Sequence, residues 1–134
     1  GSDSPPESMD GSGRNYLKVL RSRNGVKITL DDHDGQEKFI VETPGGQKIT
    51  LKDGPGSVEI VDSNGNSAKL ETSGITFNSA GAFNINASTV TITAGSITGN
   101  AGTATFSGTV IASGSVQTPS IIAASYTPGA GNVW

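Results

Sequence analysis

Two segments of alternating apolar and polar residues repeat along the chain and constrain its fold. Gly25–Asp31 reads Gly-Val-Lys-Ile-Thr-Leu-Asp, and Gly46–Lys52 reads Gly-Gln-Lys-Ile-Thr-Leu-Lys. Gly65–Glu71 is a weaker third copy. Alternation with period two places successive side chains on opposite faces of a β-strand. Recurrence about every 20 residues predicts an array of short strands joined by turns, as in a solenoid.

Turn-forming dipeptides and tripeptides separate the predicted strands. They are Asn24-Gly25, Asp34-Gly35, Pro44-Gly45-Gly46, Gly54-Pro55-Gly56 and Asn64-Gly65. From Gly74 the repeat shortens, and the predicted strands are Ile75–Asn78, Phe83–Asn86 and Val90–Thr93, which begin seven or eight residues apart. A further strand is expected at Tyr16–Leu20. Because no segment has a helical period, the sequence predicts an all-β fold.

One copy of the chain has few large apolar residues with which to build a core. Only 33% of its residues are hydrophobic and 5% are aromatic, whereas a lone domain of this length buries roughly two thirds of its unfolded surface. Three chains wrapped around one axis would need about two apolar residues per strand, because one face of each strand would point to the axis. We therefore predict a homotrimeric, intertwined triple-stranded β-helix, a β-prism needle. A one-chain solenoid remains open for the first half, but its coils are too long for the shorter second repeat.

The predicted core column of this needle consists of the apolar residues that alternate with polar ones. They are Ile28, Leu30, Ile49, Leu51, Val58, Ile60, Leu70, Ile75, Phe77, Phe83, Ile85, Val90 and Ile92.

Charge is confined to the first part of the chain. From Thr72 to Trp134 there is no Asp, Glu, Lys, Arg or His. One interpretation is the low-complexity composition of a solenoid; the other is a surface that enters hydrocarbon, where an ion costs several kcal/mol. We divide the chain into a tag or linker (1–13), a proximal β-helix with repeats of about 20 residues (14–73), and a distal charge-free β-helix with a tip (74–134).

The tip is expected to contain Tyr126, Val133 and Trp134. These side chains either close the end of the core or meet a membrane interface, which Trp and Tyr favour.

The residues offer little for catalysis or metal binding. Asp31–Glu37 is acidic and contains a glycine, but its spacing does not match a calcium loop, and a turn between strands explains it. The chain has one histidine, His33, and no cysteine, which argues against a nucleophilic triad and excludes disulfides and thiolate sites. We therefore expect no enzyme activity, no catalytic residue, no metal and no cofactor. The pI of about 4.9 argues against nucleic-acid binding.

Lys18–Asp32 contains the pattern Arg-Ser-x-x-Gly-x-x-Ile-x-Leu-Asp-Asp. It resembles the segment that follows the OB-fold domain in central spike proteins of contractile phage tails and in VgrG spikes of type VI secretion. The downstream Gly-x-x-Ile-x-Leu repeats are also similar, and the resemblance extends over roughly 15–114.

The resemblance implies a homotrimeric needle in the baseplate at the virion tail tip, or in an equivalent extracellular injection apparatus. Such a needle pierces the target outer membrane mechanically. The implied partners are an upstream OB-fold hub, which the start of the chain leads us to expect was removed, a PAAR-like protein that caps the tip, and transiently the target membrane. Some relatives bind iron through a His-x-His pair at the apex; this sequence lacks that pair, so no iron is expected. The alternatives are a trimeric tail-fibre or adhesin shaft that binds a surface receptor, a solenoid polysaccharide lyase or hydrolase, and a passive scaffold.

Overall fold

The structure, a computed structural model, describes residues 2–3, 15–127 and 129. Its main element is one antiparallel sheet in which each strand pairs with the next strand along the chain. The sheet is open, and no helix occurs among the described residues. The all-β prediction is therefore confirmed. The strands are β1 (Ser2–Asp3), β2 (Leu17–Arg21), β3 (Lys27–Asp31), β4 (Lys38–Glu42), β5 (Lys48–Asp53), β6 (Gly56–Val61), β7 (Ser67–Glu71) and β8 (Gly74–Asn78).

Three hairpin turns at one edge of the sheet share the same geometry. They span 22–26, 43–47 and 62–66, and in each the N–H of the first residue donates to the carbonyl of the fifth, at 2.8, 3.0 and 3.1 Å respectively. The side-chain oxygen of the first residue accepts from the N–H of the fifth at 2.9, 3.3 and 2.9 Å. We call this side of the sheet, where the strand ends and these three turns lie, the glycine-turn edge; the term does not refer to an outer strand.

The fourth residue of each turn has a backbone conformation that favours glycine. Gly25, Gly46 and Gly65 have φ values of 98°, 99° and 92°, in the left-handed region where a Cβ is costly. A three-residue loop closed by such a glycine is a common hairpin connection. Two strands and two turns therefore make up each repeat seen in the sequence.

Successive turns of the glycine-turn edge contact one another. The Gln47 side chain donates from Nε2 to Ser63 Oγ and accepts at Oε1 from the Ser63 N–H, both at 3.0 Å. A Cβ on Gly25 would lie 3.3 Å from Pro44 Cβ. These contacts link the turns into a stack, and Asn66 extends it past β8 by accepting the N–H of Ala80 at 2.8 Å.

The opposite edge carries the turns at 32–37, 54–55 and 72–73, and we call it the acidic edge. Asp32 donates its N–H to the Tyr16 carbonyl at 2.8 Å, and Asp53 donates its N–H to the Glu37 carbonyl at 2.9 Å. Gly54, which precedes Pro55 in a cis peptide bond, packs directly against Gly35 in the 32–37 turn.

Asp62 organises the third turn of the glycine-turn edge through four hydrogen bonds. Its Oδ1 accepts the N–H groups of Asn64 and Asn66, both at 2.9 Å. Its Oδ2 accepts the side-chain amides of the same residues at 3.1 and 2.8 Å. These donors hold the pKa of the Asp62 carboxyl far below its ordinary value, and the hydrogen bond from the Asn66 side chain contributes most.

Replacing Asp62 with Ser should lower the thermal midpoint of unfolding at neutral pH. Ser keeps one acceptor for the N–H of residue 66, as Ser22 does in the first turn, but loses the others. Because the folded pKa of Asp62 is depressed, its contribution is complete above about pH 4–5 and is lost as pH falls from there toward the folded pKa. Melting curves of both proteins from pH 7 to pH 2 should therefore converge on acidification. A difference in midpoint that does not change with pH would contradict this account.

The chain divides into two compact units, 1–88 and 89–134. The sequence-based boundary at 73/74 falls inside the first unit, between β7 and β8. In the second unit, the described residues contain no strand, and all of them are exposed.

The strands predicted at Phe83–Asn86 and Val90–Thr93 do not form in the single chain. The strand predicted at Ile75–Asn78 does form, as most of β8. The physical difference is pairing: β8 lies beside β7, whereas no backbone–backbone hydrogen bond occurs within the described stretch from Phe83 to Ser125. Alternation in sequence predicts a strand, but a strand exists only where another backbone lies alongside it.

Candidate functional site

The strand register gathers the apolar side chains on one face of the sheet. Residues that pair directly across an antiparallel ladder point to the same side, so the register defines two rows running across β2 to β8. The first row is Leu20, Ile28, Val41, Ile49, Ile60, Ala68 and Phe77. The second row is Lys18, Leu30, Phe39, Leu51, Val58, Leu70 and Ile75. We call these two rows the apolar face.

The opposite face is mostly polar and charged. Glu42 lies between Lys27 and Lys48 on this face, with charged atoms 3.9 and 4.0 Å apart. Ion pairs this exposed contribute little to stability. Val19 also lies on this face and is 5% exposed, the one buried residue in the described part of the chain. Apart from Val19, the charged and polar side chains of this face are suited to water, and we call it the polar face.

The apolar face is uncovered in the single chain. Leu30, Leu51 and Ile60 are 48%, 47% and 50% exposed, and Phe77 is 63% exposed. A soluble monomer rarely presents a continuous apolar surface across a whole sheet, and such surfaces mark interaction sites. The fold thus positions a broad interaction surface that no other part of the described chain covers.

The aromatic rings at the end of the sheet extend this surface. Phe77 of β8 and Phe83 have ring centroids 5.9 Å apart with an interplanar angle of 37°. Phe83 is 63% exposed, as Phe77 is, so both rings remain largely open to solvent.

Nine residues of the predicted core column lie on the apolar face. They are Ile28, Leu30, Ile49, Leu51, Val58, Ile60, Leu70, Ile75 and Phe77. Phe83 contacts Phe77. Ile85, Val90 and Ile92 lie outside any strand and are 62%, 57% and 65% exposed. That these residues form one column around an axis stays a prediction.

Besides Lys18 at the end of the second row, sequence reasoning missed the four apolar members Leu20, Phe39, Val41 and Ala68. Phe39-Ile40-Val41 is a run of three apolar residues, which hides the alternation. The pairing of Phe39 with Leu30 and of Val41 with Ile28 shows which two point to the apolar face. The sequence of β4 carries no local signal for them, because pairing with β3 and β5 sets the side to which Phe39 and Val41 point.

The predicted tip lies almost entirely outside the described residues. Val133 and Trp134 fall there, while Tyr126 is described and is 63% exposed.

The His33 side chain, in the acidic turn after β3, contacts Asp31 and Tyr16. His33 Nδ1 lies 2.5 Å from Asp31 Oδ1, and the His33 ring stacks on Tyr16 with centroids 4.0 Å apart. The hydrogen bond from the His33 side chain is the main cause that lowers the pKa of Asp31. Within residues 15–127, no three acidic or histidine side chains group as a metal site would require. Nor does the described part contain a helix long and apolar enough to cross a bilayer.

Comparison with protein families accounts for the exposed apolar face. Residues 38–115, more than half of the chain, match the model of the phage baseplate V C-terminal trimerisation domain. The chain belongs to this family. The matched range contains β4 to β8 and the first part of the uncharged segment. No curated protein matches the chain.

Membership of the baseplate V trimerisation family gives the chain a structural role in a phage baseplate, at the virion tail, and supports a homotrimer. The expectation of a phage baseplate protein is thereby confirmed. A trimerisation domain acts by holding chains together, so its working surface is expected to be extended and apolar rather than a pocket. The apolar face has these properties.

Proposed function

We propose that the chain is the needle of a baseplate spike, in which three copies enclose a common axis, and that this needle pierces the target outer membrane mechanically. The observation that carries the proposal is the apolar face, which crosses β2 to β8 and is exposed in one copy. Its trimeric state follows from the family; the needle architecture and the piercing are the proposal.

In the proximal part, each copy supplies one face of a prism. The strands from β2 to β8 already pair within the chain, so their backbone groups do not need other copies. The apolar side chains do, because burial of apolar area stabilises by roughly 25 cal/mol per Å². Three apolar faces turned inward bury these side chains and leave the polar faces in water. Since the prism is closed, the two turn-bearing sides of each sheet contact the neighbouring sheets rather than solvent.

In the distal part, the copies intertwine as a triple-stranded β-helix. From Phe83 to Ser125 the described backbone has no backbone–backbone hydrogen bond within the chain, and Ile97, Phe106 and Ile122 are 71%, 71% and 98% exposed. Backbone groups of a folded protein are almost always paired, with protein or with water. Two other copies at the same level supply both strand partners and apolar contacts.

The distal composition suits contact with a bilayer. Thr72–Trp134 has no Asp, Glu, Lys, Arg or His, and its Thr, Ser and Asn side chains can pair with each other at lower cost than ions. Force comes from elsewhere in the tail, and the needle transmits it without unravelling because unfolding one copy disrupts all three. We also propose an OB-fold hub before the needle and a PAAR-like cap at its tip.

The puncture role is tested by adding charge to the distal segment. Thr91 and Thr93 alternate with Val90 and Ile92, so the proposed needle turns them outward. In a Thr91→Lys/Thr93→Lys variant, each lysine should add about 2.5–3.5 kcal/mol to transfer into hydrocarbon. The measurement is the force at which an oriented trimer on an atomic-force cantilever breaks through a supported bilayer, and the variant should require more force.

The matched control places the same two substitutions on the polar face of the sheet, at Thr29 and Thr50. These positions should leave the breakthrough force unchanged, because they are not at the leading end. Both variants should remain trimeric by light scattering. Equal breakthrough forces for all three trimers would argue against a membrane-piercing role.

A further inference from the structure

The two long edges of the sheet differ in charge near β2 and β3. On the glycine-turn edge, the turn at 22–26 carries Arg23, which follows Arg21 at the end of β2. On the acidic edge, the turn at 32–37 carries Asp32, Asp34 and Glu37. The two turns lie at opposite ends of β3, so within one copy they are separated by roughly 17 Å, the length of a five-residue strand.

These charged groups are available for contact. Arg23, Asp32 and Asp34 are exposed, and none of their side chains forms a hydrogen bond or ion pair with the described part of the chain. Asp62, the carboxylate on the glycine-turn edge, differs because its oxygens already accept four hydrogen bonds within its own turn. The charges that lack partners are thus basic on one edge and acidic on the other.

A ring of three identical sheets brings unlike edges together. In cyclic three-fold symmetry the interface is heterologous, so the glycine-turn edge of one copy meets the acidic edge of the next. Rotation about the axis does not shift copies along it, so the 22–26 turn meets the region of the 32–37 turn. The two turns differ in level by about one strand spacing, ~4.8 Å, which a long arginine side chain spans.

We propose that this seam joins neighbouring copies through Arg23 of one copy and the carboxylates of Asp32 and Asp34 of the next. The inference rests on the proposed three-fold needle and adds which surfaces of the copies meet. Further along the seam the turns carry one charge, Asp62, whose oxygens are occupied within its own turn. There Ser63 and Asn64 on one edge approach the level of Thr72 and Ser73 on the other. The ionic contact at the proximal end favours this three-fold ring over a two-fold arrangement, in which two glycine-turn edges would meet and bring like charges together.

Cysteine cross-linking tests the seam directly, because the chain has no cysteine of its own. An Arg23→Cys/Asp34→Cys variant is treated with a bis-maleimide shorter than β3 and analysed by denaturing gel. The two positions are too far apart to be joined within one copy, so each link connects two copies. Three such links close a ring, and the expected product is a covalent trimer.

The control variant, Arg23→Cys/Asn64→Cys, carries both cysteines on the glycine-turn edge. It should give no covalent trimer above background, because its two cysteines lie on the same edge and about four strand spacings, ~19 Å, apart along the sheet. Light scattering of the untreated variants reports trimer formation independently. A trimer by light scattering whose cross-linking equals that of the control would overturn the seam and leave the needle standing, whereas a monomer would overturn the needle as well. Covalent dimers without trimers would show a two-fold contact and also overturn the seam.

A charge exchange gives a second readout that needs no cross-linker. Arg23→Asp alone should lower the midpoint of trimer melting, and adding Asp34→Arg should restore part of that loss. The restoration should weaken in high salt, because screening reduces ion-pair energies. If the two substitutions lower the midpoint additively, the side chains do not interact, and the proposed pair is wrong.

Discussion

Replacing Leu51 with Asp should convert the trimer to monomer. Leu51 lies in the second row of the apolar face, directly between Phe39 and Val58, and is 47% exposed in a single copy. In the proposed trimer it faces the axis, so the substitution places three carboxylates in an apolar interior. An uncompensated buried charge costs on the order of 3–5 kcal/mol, and the cost is incurred in every copy. Size-exclusion chromatography with light scattering should report the mass of one chain.

The control for this prediction is its neighbour in sequence. Thr50 lies on the polar face, opposite Ile40 and Glu59, so Thr50→Asp adds the same charge to the water-facing side of the same strand. We expect a trimer with a melting temperature within a few degrees of the native protein, since surface substitutions usually change stability by less than about 0.5 kcal/mol. If Leu51→Asp and Thr50→Asp have equal effects, the apolar face is not the contact surface.

The second large effect is expected from Gly54→Ala. A Cβ on Gly54 would overlap the backbone carbonyl oxygen of Gly35 and lie 3.1 Å from its carbonyl carbon. The obstacle is backbone, so it cannot move aside as a flexible side chain can, and the 32–37 turn must shift away from β5 and β6. We expect a loss of about 3 kcal/mol or more per copy, the upper end of the cost of overpacking. Denaturant unfolding followed by circular dichroism measures it.

Gly56 provides the matched control for Gly54. It is two residues away at the start of β6, and a Cβ there meets nothing within 4 Å. Its φ is not positive, so Gly56→Ala should change stability by at most about 1 kcal/mol, with stabilisation possible through the unfolded chain. If Gly54→Ala is as well tolerated as Gly56→Ala, the close packing of the two turns on the acidic edge is not present in solution.

The proximal half of the fold was predictable from sequence because its signals are local. Period-two alternation defines the strands, and the Asn-Gly and Gly-Gly sequences define the turns. Gly25 and Gly65 fall at the positions of positive φ that these turns need. The consecutive pairing of β2 to β8 follows from the short turns, since strands joined this way pair with each other.

Two features of the proximal half were not readable from the sequence. The run Phe39-Ile40-Val41 shows no alternation, so the side to which each residue points depends on pairing with β3 and β5. The need for glycine at Gly54 arises from the approach of Gly35, nineteen positions earlier in the chain. Both are consequences of contacts between strands or turns, which no local pattern encodes.

In the distal half, sequence and single-chain structure differ for a physical reason. The alternation at Phe83–Asn86 and Val90–Thr93 describes how side chains are distributed along an extended chain. Whether such a chain becomes a strand depends on neighbours, and a single copy provides none there. The predicted tip residues Val133 and Trp134 lie outside the described part of the chain, so their role as a tip stays a prediction.

The central claim is that the apolar face is buried only when three copies surround one axis. The most direct measurement is the molar mass of the folded chain in dilute buffer by light scattering. One chain has a mass of 13.5 kDa, and we predict a single species of three times that mass with the circular dichroism of β-sheet. A folded, monodisperse species with the mass of one chain would contradict the account.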